Sequence, residues 1–454
     1  MRNVMREAVA PLYLLLCLII GGSAQGVWAN MLLQLLGIAL IAWAAASRAD
    51  EPLLAPARQL LWLVLIGVAV VALQLVPLPA SVWPHLGGRE AIASGYHVLG
   101  LETPALPLSL TPHESLNSLL GLIPPLALFC AIVRLRAYRA SWLVAALLAG
   151  TIAGILLGAL QVASTGPAGM SRWYLYPSSS FGFATGFFAN VNHMAILLVI
   201  TLPLLAALLA AARGANVQGY SAIVALVAGA GLVIVVGIFL NRSLAGYGLA
   251  LPALAASALI VLPPRSALRR WAVVAAAILF VGALAALATS STRATLGDSA
   301  ASSVQSRQVR LATTAEAMGD FMPWGSGLGS LPRVYKLYED RDQVTRTRVV
   351  HAHNDYAELA LELGIAGILL IIAFLPWWFR AVWTAWRHAD AGPYARAASI
   401  ASAAILAHSL VDFPLRTAAI SAAFAMCLAL LVERRAQAAA AKSDLRPTRH
   451  VVLR

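Results

Sequence analysis

Two histidines, His351 and His353, stand just before the run Asn354-Asp-Tyr-Ala-Glu-Leu-Ala-Leu-Glu-Leu-Gly364. Asn354 or Asp355 can cap a helix there, because their side chains accept the free N–H groups of a first turn. Asp355, Glu358 and Glu362 then fall at i, i+3 and i+7, on one helix face. A carboxylate against lipid is costly, so that face should look into the bundle or a wet cavity. His353 sits at the positive end of this helix, which favours the neutral, proton-accepting imidazole. A general base and a simple capping cluster both fit these residues.

Cations form the second group. Arg242 is the only charge in the turn Asn241-Arg-Ser-Leu-Ala-Gly246. It reads either as an arginine reaching for the membrane interface or as a fixed cation for phosphate, which a guanidinium matches bidentately. Arg307 and Arg310, in Ser306-Arg-Gln-Val-Arg310, are three apart and would share one side of a helix. They lead into Pro323-Trp-Gly-Ser-Gly-Leu-Gly329, where glycines allow close backbone approach or simply mark a turn. Asn190, Asn192 and His193 open an apolar run and can cap it or bind sugar hydroxyls. His408 and Asp412 are spaced i, i+4; a structural pair is favoured over a proton relay.

The elements that must position these groups are membrane helices. The chain is 60% hydrophobic and 11% charged, against about a quarter charged in soluble domains. Apolar runs of about 20 residues recur without strand-type alternation. They predict spans at 11–24, 27–46, 59–76, 115–133, 141–164, 187–212, 220–240, 244–262, 271–289, 355–379, 395–411 and 416–432. The fold class is therefore all-α, a polytopic membrane protein of about twelve transmembrane helices. The division expected is 1–180, N-terminal spans with a polar loop near 77–114; 181–435, a transmembrane core with a long loop at 290–353; and 436–454, a basic tail.

Orientation follows from Lys and Arg in the loops. With the N-terminus in the cytoplasm, most basic residues fall on the cytoplasmic side and the short outer loops are almost bare. Both termini are then cytoplasmic. The long loop is the exception, with Arg293, Arg307, Arg310, Arg333, Lys336, Arg341, Arg346 and Arg348. A basic outer surface suits an anionic ligand, although Asp298, Glu316, Asp320, Glu339, Asp340 and Asp342 also balance it. The net charge of +13 is explained by topology, so no nucleic-acid partner is expected. An N-terminal stretch ending at Gly22-Ser23-Ala24 is read as an uncleaved first span. Cys17, Cys130 and Cys427 lie in apolar runs and read as core thiols. There is no P-loop, no HExxH and no Cys/His metal set in the sequence, and chance explains Asp340-Arg341-Asp342 better than a metal pair does.

Taken in order, the Phe-Ala-Asn-x-Asn-His opening, the Arg-Ser turn, the Arg-rich loop with Pro-x-Gly-x-Gly-x-Gly, the His-Asn stretch and His408 to Phe413 resemble the bacterial O-antigen ligase and Wzy-type polysaccharide polymerase family. The resemblance covers roughly residues 180–415. It implies a GT-C-like membrane glycosyltransferase with one large periplasmic loop, in the bacterial inner membrane, with a periplasmic active site. The donor implied is an undecaprenyl-pyrophosphate-linked glycan and the acceptor a glycan or lipid A-core. No metal or other cofactor is implied; membrane lipids and other polysaccharide-assembly proteins are the further partners. By position, Arg242 and one of Arg307 or Arg310 look like the arginines that hold pyrophosphate. His353 looks like the base, with His351 the second candidate. Asn190, Asn192, His193, Asn354, Asp355 and Glu358 are the supporting or sugar-binding set. Polymerase is read slightly ahead of ligase. The rivals are a transporter or lipid-linked glycan flippase, which would carry mid-membrane charges and repeat symmetry, and a peptidoglycan-type polymerase.

Overall fold

The computed structural model describes residues 2–47, 52–164, 166, 171–215, 219–263, 266–288, 298–344 and 348–433. The expected basic tail at 436–454, and Arg293 and Arg346 of the long loop, lie outside the described residues. In order the helices are α1 (Arg2–Ile20), α2 (Val27–Ala46), α3 (Ala55–Gln74), α4 (Glu90–Val98), α5 (Pro112–Leu120), α6 (Ile123–Val133), α7 (Ala140–Ala163), α8 (Val191–Gly214), α9 (Tyr220–Asn241), α10 (Leu244–Val261), α11 (Ala267–Ala288), α12 (Asp298–Phe321), α13 (Leu331–Tyr338), α14 (Asp355–Leu363), α15 (Ile365–Arg387), α16 (Gly392–His408) and α17 (Ala418–Val432). Two short strands, β1 (Pro77–Leu78) and β2 (Leu106–Pro107), pair antiparallel with Pro77 opposite Pro107.

The fold is all-α, and 8 helical stretches among the described residues are long and apolar enough to cross a membrane: α2, α3, α5 with α6, α7, α8, α9, α10 and α15. Helices also occupy the other four expected positions, at α1, α11, α16 and α17. α8 is the central element. It packs on α7, α9, α10 and α16, and 72% of its most apolar window is buried, against 17% for α2 and α3. An all-round apolar helix belongs inside such a bundle. A single apolar cluster runs from α1 and α6 through α8 to α16 and α17.

Two sequence expectations are corrected at the polar end. The stretch expected as a loop at 290–353 contains α12 and α13, and a second small core joins them to the histidine segment through Ala317, Phe321, Leu331, Val334, Ala352 and Leu361. The span expected at 355–379 is two helices, with its acidic part split off as α14. The break is at Gly364, where φ is +62° and Ile365 N donates to Pro323 O at 2.9 Å. A Cβ on Gly364 would stand 2.1 Å from that carbonyl oxygen. Periodicity could not show the break, because apolar residues continue on both sides.

The glycine-rich stretch acts as a seat. Ser326 N and Gly327 N donate to Leu361 O and Glu362 O at 3.0 and 2.9 Å. Gln74 Nε2 donates to Trp324 O and Glu362 O at 3.2 and 3.0 Å. Arg89, wholly buried between the Trp83 and Phe321 rings, donates to Gly325 O at 2.9 Å and to Gly87 O at 2.8 Å. Burial pushes the Arg89 guanidinium down to about 10. The 77–111 segment, the glycine loop and α14 are thereby one hydrogen-bonded layer over the bundle.

Gly364→Ala places a Cβ in backbone geometry reserved for glycine, worth about 1–3 kcal/mol, and adds the clash with Pro323. It should lower the thermal midpoint of the detergent-solubilised protein by several degrees, read by size-exclusion after heating. Gly95→Ala, with nothing within 4 Å of its Cβ, should not. Equal midpoints would remove the role given to Gly364.

Candidate active site

Residues singled out from four separate stretches meet at Asp412. This carboxylate lies in the turn between α16 and α17 and is wholly buried. Asn190 Nδ2 donates to its Oδ1 at 3.3 Å, and Phe413 N donates to the same oxygen at 2.9 Å. Asn192 Nδ2 donates to Oδ2. His353 Nδ1 stands 3.5 Å and His193 Nε2 3.9 Å from Oδ1. Arg307 Nη2 stands 3.9 Å from Oδ2. Burial opposes the charge of Asp412, but its interaction with His353 and the flanking imidazoles of His193 and His408 outweigh that, holding the carboxyl well below the usual range.

Local sequence explains the placement. Asn190 caps α8, accepting from Asn192 N at 2.8 Å, so its amide nitrogen is left to reach Asp412. Asn192 Oδ1 accepts from Ser243 Oγ at 2.8 Å, which ties in the α9–α10 turn. Ser243 itself caps α10 through Gly246 N at 3.2 Å. Asn354 caps α14 through Ala357 N at 2.9 Å and donates to Leu410 O at 3.0 Å. The same side chains thus cap a helix through the amide oxygen and reach the α16–α17 turn through the amide nitrogen.

Phe413 is the second centre. Its ring stacks on His351 at 4.0 Å and 28°, and meets the edges of His193 and His353, each at 5.0 Å. His351 Nδ1 is 2.9 Å from Glu358 Oε1. Glu358 and Glu362 are buried, and Arg416 Nη2 lies 3.4 and 3.1 Å from them. Burial works against Arg416, yet Glu358, Glu362 and Asp355 together raise it above the ordinary guanidinium value. The acidic face of α14 does look inward, as the cost of a lipid-facing carboxylate requires.

Not every expected residue joins this centre. Arg242, in left-handed backbone with φ +58°, is exposed and donates to Gly182 O at 2.9 Å over the Phe183 ring. It is one residue from Ser243, which bonds Asn192. Arg310 shares α12 with Arg307 but is pushed below its ordinary value by burial, and Arg307 adds to this. The His408 imidazole makes no hydrogen bond to Asp412, although it flanks the carboxylate; the hydrogen-bonded link is Asp412 N to His408 O at 3.0 Å. Asp340 caps its own turn, accepting from Asp342 N at 3.1 Å. Among the described residues no three of His, Cys, Asp and Glu are grouped to hold a metal ion.

Sequence reasoning missed Phe413, Arg416 and the pairing of Asp412 with His353. The first two are ordinary residues beside an i, i+4 pair. The third joins segments about sixty positions apart, where only tertiary structure reports contact.

A multi-pass, all-α membrane protein with a cluster of histidines, carboxylates and arginines around buried Asp412 is the class defined here. The sequence model of the O-antigen ligase family matches residues 229–372 and supports the O-antigen ligase/Wzy-type resemblance. That segment holds Arg242, Arg307, Arg310, His351 and His353, and ends before Asp412 and Arg416. No curated protein matches the chain.

Proposed function

We propose that the chain is an inner-membrane glycosyltransferase that moves a glycan from undecaprenyl pyrophosphate to an acceptor hydroxyl on the periplasmic face, in O-antigen or exopolysaccharide assembly. The observation that carries this reading is the convergence of His353 and Arg307 on opposite oxygens of the one buried carboxylate, Asp412. A base and a cation are thereby held side by side. The O-antigen ligase match over residues 229–372 supports this class of reaction.

His353 turns Nδ1 towards Asp412, so that nitrogen carries the proton and Nε2 is left to accept one. In the transfer, the acceptor O–H gives its proton to His353 Nε2 as the new C–O bond forms at the anomeric carbon. The bond from that carbon to the phosphate oxygen breaks, and polyprenyl pyrophosphate departs as an anion. Arg307 neutralises the departing diphosphate. Exposed Arg242 is the second cation, released from Gly182 O when phosphate arrives. A single displacement inverts the anomeric centre. His193, Asn190, Asn192, Asn354, Asp355 and Glu358 support these groups.

The test of the reaction class is the glycan profile of a strain lacking the protein, with and without wild-type complementation. Lipopolysaccharide and secreted polysaccharide are run side by side. Single repeat units left on the lipid core identify a polymerase, and long chains left on the polyprenyl carrier identify a ligase. Loss of secreted polysaccharide alone identifies an exopolysaccharide polymerase. Unchanged glycans in all fractions would contradict the proposal and favour a transporter.

A further inference from the structure

Arg416 lies under the histidine loop and outside every motif that carries the family resemblance. Its Nη2 is 3.1 Å from Glu362 Oε2 and 3.4 Å from Glu358 Oε1, and its Nε is 3.7 Å from Asp355 Oδ1. Glu358 spends both oxygens on the two residues just before His353. Oε1 meets His351 Nδ1 at 2.9 Å, and Oε2 accepts from Ala352 N at 3.0 Å. His353 follows with φ +56°, a backbone state that a non-glycine residue keeps only when its surroundings hold it. The same turn that carries Asp412 and Arg416 is tied to α14 through Ser409, whose Oγ donates to Asp355 Oδ2 at 2.8 Å.

We propose that Arg416 is a positioning residue for transfer: by keeping Glu358 an anion it fixes His351 and Ala352, and so holds His353 against Asp412. The inference rests on the reading of His353 as the base. The ionisable groups facing Glu358 are Arg416 and His351 from the flanking loops and Asp355 and Glu362 from its own helix. From α12, Arg307 turns to Asp412 instead, and Arg310 interacts with Tyr335 of α13, Glu339 and Asp412. Burial alone would raise the Glu358 carboxyl, but Arg416 first and His351 next hold it below its ordinary value. Three carboxylates reached by one planar fork also explain why an arginine stands here, since a lysine ammonium is a single point charge.

The test uses the full chain in lipid nanodiscs, with lipid-linked glycan extracted from the deletion strain as donor and that strain's acceptor fraction. Arg416→Gln should lose about tenfold or more at pH 7, with the acid limb of kcat/KM moved up by about one unit or more. The sign follows from the charge: without the cation Glu358 binds a proton more readily, so a higher pH is needed to ionise it. The gap to wild type should therefore narrow towards pH 9. Amide exchange at Ala352, whose N–H is held by Glu358, should quicken at least tenfold. A loss that is uniform across pH, or unchanged exchange at Ala352, would overturn the positioning role. If Arg416→Gln does not reach the membrane folded, Glu358→Gln keeps the shape, removes the anion and carries the same exchange test. Full transfer by His353→Ala would instead remove the base itself, so the two failures are read separately.

Discussion

His353→Ala should lower transfer by ~10²–10⁴-fold, the contribution of a positioned general base, while the folded protein stays in the membrane. His353 is a half-buried side chain on a loop, so its loss leaves no large cavity in the core. Asp412→Asn should fall close to the same level. An amide in that place can donate towards His353 Nδ1 and so favours the wrong tautomer, as a buried carboxylate does not. Because base and orienting group act as one unit, the double variant should be no worse than His353→Ala alone. The readout is the initial rate of donor consumption in nanodiscs. Multiplying losses in the double variant would mean that the two residues act independently. An Asp412→Asn protein at wild-type rate would remove Asp412 from the chemistry.

Arg307→Ala is the second large effect, about 10²–10³-fold, as when one preorganised partner of a developing anion is removed. Arg307→Lys should restore little of it, because bidentate recognition of phosphate needs the planar fork. Arg310→Ala should cost less than tenfold of activity, on the order of side-chain packing alone, since Arg307 is the α12 arginine that stands within 4 Å of Asp412. Measuring kcat and KM separately decides the role. Loss in kcat places Arg307 on the departing diphosphate, whereas loss only in KM makes it a donor-binding residue. If Arg310→Ala is the dead variant and Arg307→Ala is active, the phosphate contact moves one helical turn along α12.

Much of this was legible from residue type and spacing. The helical runs, the i, i+3, i+7 carboxylates of α14 and the capping roles of Asn190 and Asn354 follow from helix geometry, which is local. The basic stretch around Arg307 and Arg310 was legible as a helix face, although the segment as a whole was expected to be loop. α12 is mostly polar, so no apolar stripe announced it. Gly364 was not legible as a break, because its positive φ answers to Pro323, some forty positions earlier. Asp412 was read with His408, its neighbour along the helix; its actual partners, Asn190, Asn192, Arg307 and His353, come from three other segments. Arg416 stands in the turn before α17 and carried no signal of its own in the sequence. Only the inward face of α14 shows that it neutralises Glu358 and Glu362.

Release of undecaprenyl pyrophosphate from lipid-linked glycan by the purified full chain in nanodiscs is the measurement to make first. Wild-type protein should release it in step with the glycan gained by the acceptor, His353→Ala and Arg307→Ala should not, and leaving out the acceptor should stop release. Equal release by wild type and His353→Ala, or glycan moved across the bilayer with its pyrophosphate bond intact, would contradict the site described here.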